Sequence, residues 1–365
     1  MRTFGIEEEY LLLDPSTAMP RFISDEVSAF LTSSRNVAVD DVQSELLTCQ
    51  LETSTPPCHT AAEALQSLRA FRAELAKAAL KARARAAGIG TAPRMETALP
   101  EVTDKRRYHQ LRDSAPGIVA DQYVNGLHVH VGIEDKDSGV QALNRIRPWL
   151  PVIVALSANS PFWQDRDSGF ESWRTISYRR WPIQGVPPLF KDAADYEARV
   201  QGLVNTGVII DRGVITWVAR LSDSYPTLEV RAADAQLEAR DAVLLAVMIR
   251  ALVDTASTDA TEGRPYFART PEILDAALWQ AARHGLNGDL MHPHRGQLAP
   301  AGEVLDAFVA YLRPALERTG DEEFVHSGLQ RLSDQGTGSQ RQRRAFASGG
   351  LPALLDLYQN SLSAN

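Results

Sequence analysis

Three successive carboxylates run straight into an apolar strand at Gly5-Ile6-Glu7-Glu8-Glu9-Tyr10-Leu11-Leu12-Leu13. On an extended chain the side chains alternate, so Glu7 and Glu9 share one face while Glu8 points to the other. Like charges side by side on a strand repel. A fold tolerates them if the acidic face is solvated at a sheet edge, or if a cation sits between the acids. Hard oxygen ligands of this kind suit Mg²⁺ or Mn²⁺. Both readings make residues 5–13 a strand, and the rest of the chain decides between them.

Three further stretches repeat the pattern. Residues 46–53 read as extended and are closed by Pro56-Pro57. Glu52 there shares a face with Thr48 and Gln50, whereas Glu45 has the wrong parity and joins only from a preceding loop or through a bulge. Gly126-Leu127-His128-Val129-His130-Val131-Gly132-Ile133 alternates strictly, with the aliphatic residues on one face and His128, His130 and Gly132 on the other. Two histidines on one face can be structural, or can meet a ligand that the glycine leaves room for. In Tyr225 to Arg231, Glu229 and Arg231 share a face, either as a plain ion pair or as a metal ligand beside a phosphate clamp.

Together these strands describe a sheet with an apolar back and a front lined by Glu7, Glu9, Glu52, His128 and Glu229. Five carboxylates in one concavity, counting Glu45, require divalent cations to be stable. Oxygen ligands with one imidazole favour Mg²⁺ or Mn²⁺ over structural Zn²⁺. Clustered magnesium in turn suggests phosphoryl chemistry on a nucleotide.

Between the strands, residues 60–87 predict a helix through Leu65, Leu68, Phe71, Leu75, Ala79 and Leu80, with Gly88 as its cap. A short strand is expected at 89–93 and a polar, irregular stretch at 94–122. A helix broken by Pro148 and Pro151 spans 139–158. Residues 160–190 read as a long loop rich in arginine and aromatics, including Arg174 and Arg180, suited to gripping carboxylate or phosphate. A helix near 192–204 precedes strands at 207–210 and 214–219. Beyond 236 the chain is mostly helical. The stretch Gly336 to Arg344 reads as a solvated basic helix start.

The composition, 44% hydrophobic and 23% charged, is that of a globular protein. A net charge of −8 argues against general nucleic-acid or membrane-surface binding. No apolar run approaches membrane-spanning length, and the N-terminal strand lacks the features of a secretory signal. The two cysteines, Cys49 and Cys58, fit a reducing cytoplasm and are too few for a zinc–thiolate site.

Gly5-Ile6-Glu7-Glu8-Glu9, Leu51-Glu52 to Pro56, Gly126 to Gly132, Ser160-Pro161-Phe162-Trp163, Arg180-Trp181-Pro182, Pro226 to Arg231 and Gly336-Thr337-Gly338 with Arg341-Gln342-Arg343 fall in order along nearly the whole chain. In this ordered set the sequence resembles the type 2 glutamate–cysteine ligase family of carboxylate–amine ligases. The resemblance implies a glutamine synthetase-like α+β fold: a curved, mainly antiparallel sheet with helices on its convex side and a helical C-terminal part, residues 1–365 forming a single catalytic domain. It also implies that ATP phosphorylates a glutamate side chain and an amine such as cysteine attacks the acyl phosphate. Carried over by motif, Glu7, Glu9, Glu45, Glu52, His128 and Glu229 would hold the metal ions. Arg231, with Glu52 and Glu229, would act on the transferred phosphoryl group, and His130, Arg174 and Arg180 would touch substrate. A homo-oligomer working on small molecules is implied as well. One departure falls at Trp217-Val218-Ala219-Arg220, where the family has Trp-Asp-Arg, and it bears on the amine substrate. Two alternatives are a guanidino phosphotransferase-like kinase and a non-catalytic module binding nucleotide or amino acid.

Overall fold

The computed structural model describes residues 1–34, 37–38, 41–96 and 98–364. Its centre is one antiparallel sheet built from β1 (Phe4–Leu13), β2 (Gln43–Ser44), β3 (Gln50–Ser54), β4 (Arg85–Ala87), β5 (Gly126–Gly132), β6 (Ala219–Leu221) and β7 (Thr227–Asp234). The strand order is β6-β7-β5-β1-β3-β2, and β4 pairs with the far half of β1. The acid-rich opening strand is therefore interior: β3 flanks it on one side, and β5 followed by β4 on the other.

Alternation along these strands sorts the two faces. Phe4, Ile6, Leu127, Val129, Val131, Leu228 and Val230 are buried in one apolar cluster with residues of the helices Lys136–Ile146 and Ala239–Thr261. The helix Ala61–Lys81 joins them through Leu68, while its Phe71 and Leu75 pack in a second cluster with Tyr10 and Leu12; its start is fixed by a Thr60–Glu63 capping box. Beyond Glu9 both faces of β1 are apolar, with Tyr10, Leu11, Leu12 and Leu13 fully buried, so the acidic front stops there. Among the described residues, no helix is long and apolar enough to cross a membrane.

Glu8 lies inside the apolar back. It is fully buried and paired with Arg72, whose guanidinium also donates to the carbonyls of Gln236 and Leu237, each at 2.8 Å. Tyr10 donates its hydroxyl to the same carboxylate. One side chain of the helix Ala61–Lys81 thus ties β1 to the connection that follows β7. Replacing Arg72 with Met leaves a buried carboxylate uncompensated and should lower unfolding free energy by about 3–5 kcal/mol. A urea titration reads this directly, and an unchanged midpoint would show that the pair carries no net stability.

The structure redraws several expected elements. The helix predicted over 60–87 stops at Lys81; Arg83 takes a positive φ of 56°, and residues 85–87 become β4. Pairing with the stretch of β1 that β5 leaves unpaired outweighs the helix preference of an Ala-rich run. Gly88 is therefore no cap; a side chain there would strike the Gln236 carbonyl. Residues 89–93 supply only the Thr91–Val124 bridge, and 46–49 are irregular. The stretch 94–122 contains helices Arg106–Ser114 and Pro116–Val119. Within 160–190 lie a strand pair and the helix Trp173–Tyr178. Residues 207–210 form no strand. The basic stretch after Gly336 is not solvated: Arg341 pairs with Glu238 and Asp241, and Arg343 with Asp167 and Glu171.

Candidate active site

Register assembles the front face. Glu7 lies opposite His128, Glu229 opposite His130, and Glu9 opposite Glu52. A bulge in β7 after Val230 sets Arg231 against His128, with Arg231 Nη1 3.4 Å from His128 Nδ1. His128 Nδ1 is 3.3 Å from Glu7 Oε2 and 4.0 Å from Glu229 Oε1; His130 Nε2 is 3.1 Å from Glu7 Oε1. Four neighbouring strands thus bring Glu7, Glu9, Glu52, His128, His130, Glu229 and Arg231 to one hollow. Glu45 joins from the break between β2 and β3, close enough to Glu52 to hydrogen-bond with it.

Two electrical environments result. Burial works against ionisation of Glu229, but Arg231 and Arg220 outweigh it and hold this carboxyl well below the usual range. Arg220 Nε donates to Glu229 Oε2 at 2.7 Å, and Arg231 pairs with Oε1. Burial likewise opposes ionisation of Glu7, and hydrogen bonds from His128 and His130 pull its pKa well down. Burial, then the charge of Arg231, pushes His128 down to about 4, leaving a neutral imidazole at pH 7. On the other side, burial and the charge of Glu45 push Glu9 up to about 8. Burial and the charges of Glu45, Glu7 and Glu9 raise Glu52 well above the usual range.

This second group opens into a cavity of about 140 Å³ whose walls include Glu45, Arg107, Tyr108, Gln122, Trp181 and Arg231. Arg174 is buried beneath it, with both terminal nitrogens 3.3 Å from the Arg231 carbonyl and its guanidinium over the Tyr178 ring. A side chain at Gly126 would collide with that guanidinium, and the Gly126 N–H donates to Glu9 Oε2 at 2.7 Å, so only glycine fits here. Arg180 does not join the hollow. It pairs with Asp121 at 2.6 Å and donates to the Ser177 carbonyl.

Sequence reasoning gave no role to Arg220, nor to the wall formed by Arg107, Tyr108 and Trp181. Arg220 follows from the β6–β7 register, which sets it opposite Glu229. Arg107 is held by Asp211 through two hydrogen bonds of 2.6 and 2.9 Å.

The donor set fits a hard divalent cation. Glu7, His128 and Glu229 each offer one ligand atom, all within 4.8 Å of one another. The buried Nε2 of His128 has no hydrogen-bond partner, and Glu9 lies 3.6 Å from it. Oxygens with a neutral imidazole match Mg²⁺ or Mn²⁺. A carboxyl such as Glu9, which ionises at about 8 when folded against 4.5 ordinarily, favours folding at low pH. That contribution is lost as pH rises toward 8. A cation takes the proton's place. Saturating Mg²⁺, about 2.7 kcal/mol at a hundredfold over Kd, should therefore raise Tm more at pH 8 than at pH 6. Thermal scans with Mg²⁺ or with EDTA test this; equal shifts at both values would show that these acids do not exchange protons for the ion.

Residues 3–356 match the family model of Glutamate-cysteine ligase family 2 (GCS2). The chain belongs to this family. It is 40% identical over 346 residues to "Putative glutamate--cysteine ligase 2-1" of Nocardia farcinica, covering 95% of this chain and 89% of that protein. A relative from Mycolicibacterium vanbaalenii, "Putative glutamate--cysteine ligase 2-2", is also 40% identical, covering 94% and 93%. Among solved structures, the glutamate–cysteine ligase of Francisella tularensis in complex with AMP has a TM-score of 0.75 at 11% identity, covering 100% of this chain and 89% of that one. A bifunctional glutathione synthetase from Pasteurella multocida scores 0.70 at 16% identity, covering 99% and 52%. The fold is the glutamine synthetase-like ligase fold, and family membership makes the protein an ATP-dependent ligase.

Proposed function

We propose that this ligase joins an amino-acid carboxylate, glutamate foremost, to an amine through an acyl phosphate, with cysteine as one acceptor. The side-chain carboxylate attacks the γ-phosphorus of ATP and ADP leaves. The amine nitrogen then attacks the acyl carbon, phosphate leaves, and the nitrogen gives up a proton. One observation carries the reading: acids from separate strands converge on a hollow where Glu9 and Glu52 resist ionisation and Arg231 stands between the two groups of acids.

In this scheme Glu7, Glu9, Glu45, Glu52, His128 and Glu229 would hold Mg²⁺ or Mn²⁺, which when bound neutralises phosphate charge. Arg231 faces the transferred phosphoryl group, fixed in place by Glu229. Glu229 is itself clamped from behind by Arg220, so neither partner has to reorganise when charge develops. Arg174 and His130 orient the substrates. Residues 1–365 act as one catalytic domain of a cytoplasmic homo-oligomer on small molecules. The buried free thiols Cys49 and Cys58 support a reducing compartment.

The test uses ATP labelled with ¹⁸O at the βγ bridge, with Mg²⁺ and glutamate but no amine. Reversible acyl-phosphate formation scrambles the label into a non-bridging β position. Label that stays in the bridge while an added amine still drives ADP release would rule out a separate acyl phosphate.

A further inference from the structure

Tyr225 stands at one end of the hollow, 62% exposed. It does not sit on a loose loop. The Ser224 and Tyr225 N–H groups donate to Ser222 Oγ, Thr227 N–H donates to the Tyr225 carbonyl at 2.8 Å, and Ile133 N–H donates to the Pro226 carbonyl at 3.0 Å. The ring meets the His130 ring edge to face, with centroids 6.0 Å apart. His130 in turn is 2.9 Å from Thr227 Oγ1 and 3.1 Å from Glu7. One side chain therefore separates an exposed aromatic ring from the group Glu7, His128 and Glu229. Away from the hollow, the ring borders a groove of about 270 Å³ at the start of the helix Lys136–Ile146, lined by Ile133, Asp135, Lys136, Leu221 and Asp223.

Strand direction gives the hollow two ends. Along β5, His130 lies at the Tyr225 end and Gly126 at the Arg174 end; along β7, Thr227 and Glu229 precede Arg231. The walled cavity of Trp181 and Tyr108 belongs to the Arg174 end and suits the acid and the amine. A triphosphate held among Glu7, His128, Glu229 and Arg231 then has the Tyr225 end left for its nucleoside.

We propose that Tyr225 is the stacking platform for the purine base of the nucleoside triphosphate. This rests on the ligase reading above. An aromatic face stacks on a base while the phenol oxygen stays in water.

Calorimetry with Mg²⁺ on the full chain separates base from phosphate by comparing ATP with tripolyphosphate. Tyr225→Ala should weaken ATP binding by about 5- to 150-fold, the range that base stacking supplies. Tyr225→Phe should bind ATP like the wild type, and tripolyphosphate should bind all three proteins alike. Unchanged ATP affinity in Tyr225→Ala overturns the proposal. So does a parallel loss of tripolyphosphate binding, which would mark a structural role. Wild-type protein that binds neither ligand would remove the ligase reading itself.

Discussion

Arg231→Lys should lower kcat for glutamate-dependent ADP release by about 10²- to 10³-fold, the usual loss when one preorganised donor to developing charge is removed. The guanidinium pairs with Glu229, approaches His128 Nδ1, and lines the cavity on its far side. Lysine keeps the charge but not the planar fork, so it cannot serve Glu229 and a phosphoryl oxygen together. KM for ATP should move far less than kcat, because the interaction strengthens as the phosphoryl group transfers. Tm should change little, since Arg220 still neutralises Glu229. Steady-state kinetics beside a thermal scan check all three expectations. A rise in KM at unchanged kcat would make Arg231 a ground-state contact only.

Glu52→Gln should separate activity from stability with opposite signs. ADP release should fall by at least about 100-fold, since loss of a group that merely supports a metal ligand already costs 10- to 100-fold. In EDTA at pH 8, however, the variant should melt at a higher temperature than the wild type. Glu52 sits among Glu45, Glu7 and Glu9, and burial with their charges raises its pKa. A carboxyl raised in this way favours folding at low pH and opposes it above its folded pKa; the amide removes that penalty. Mg²⁺ should then stabilise the variant less than the wild type. A variant that is both inactive and less stable without metal would mean that Glu52 is a structural residue.

Much of this site was legible before any coordinates, because strand parity is a local rule. It put Glu7 and Glu9 together, set Glu8 apart, and brought Glu45 in only through irregular backbone, as the break between β2 and β3 does. What stayed illegible depends on partners distant in sequence. Nothing near Glu8 announces Arg72, 64 residues away. Nor does anything near Arg180 announce Asp121, the carboxylate it pairs with at 2.6 Å. The helix Arg106–Ser114 buries only Leu111 and shows no apolar periodicity, so its Arg107 and Tyr108 could not be placed in the wall. The Ala- and Arg-rich run through residue 87 favours helix locally, and only pairing with the distant β1 makes residues 85–87 a strand.

Equilibrium Mn²⁺ binding at pH 7.5, followed by electron paramagnetic resonance on wild-type protein and Glu52→Gln without nucleotide, bears most directly on the gathering of acids around divalent ions. Saturable binding to the wild type, weakened at least about tenfold in the variant, is the expected result. Absence of saturable binding to folded wild type, or identical isotherms for the two proteins, would contradict it.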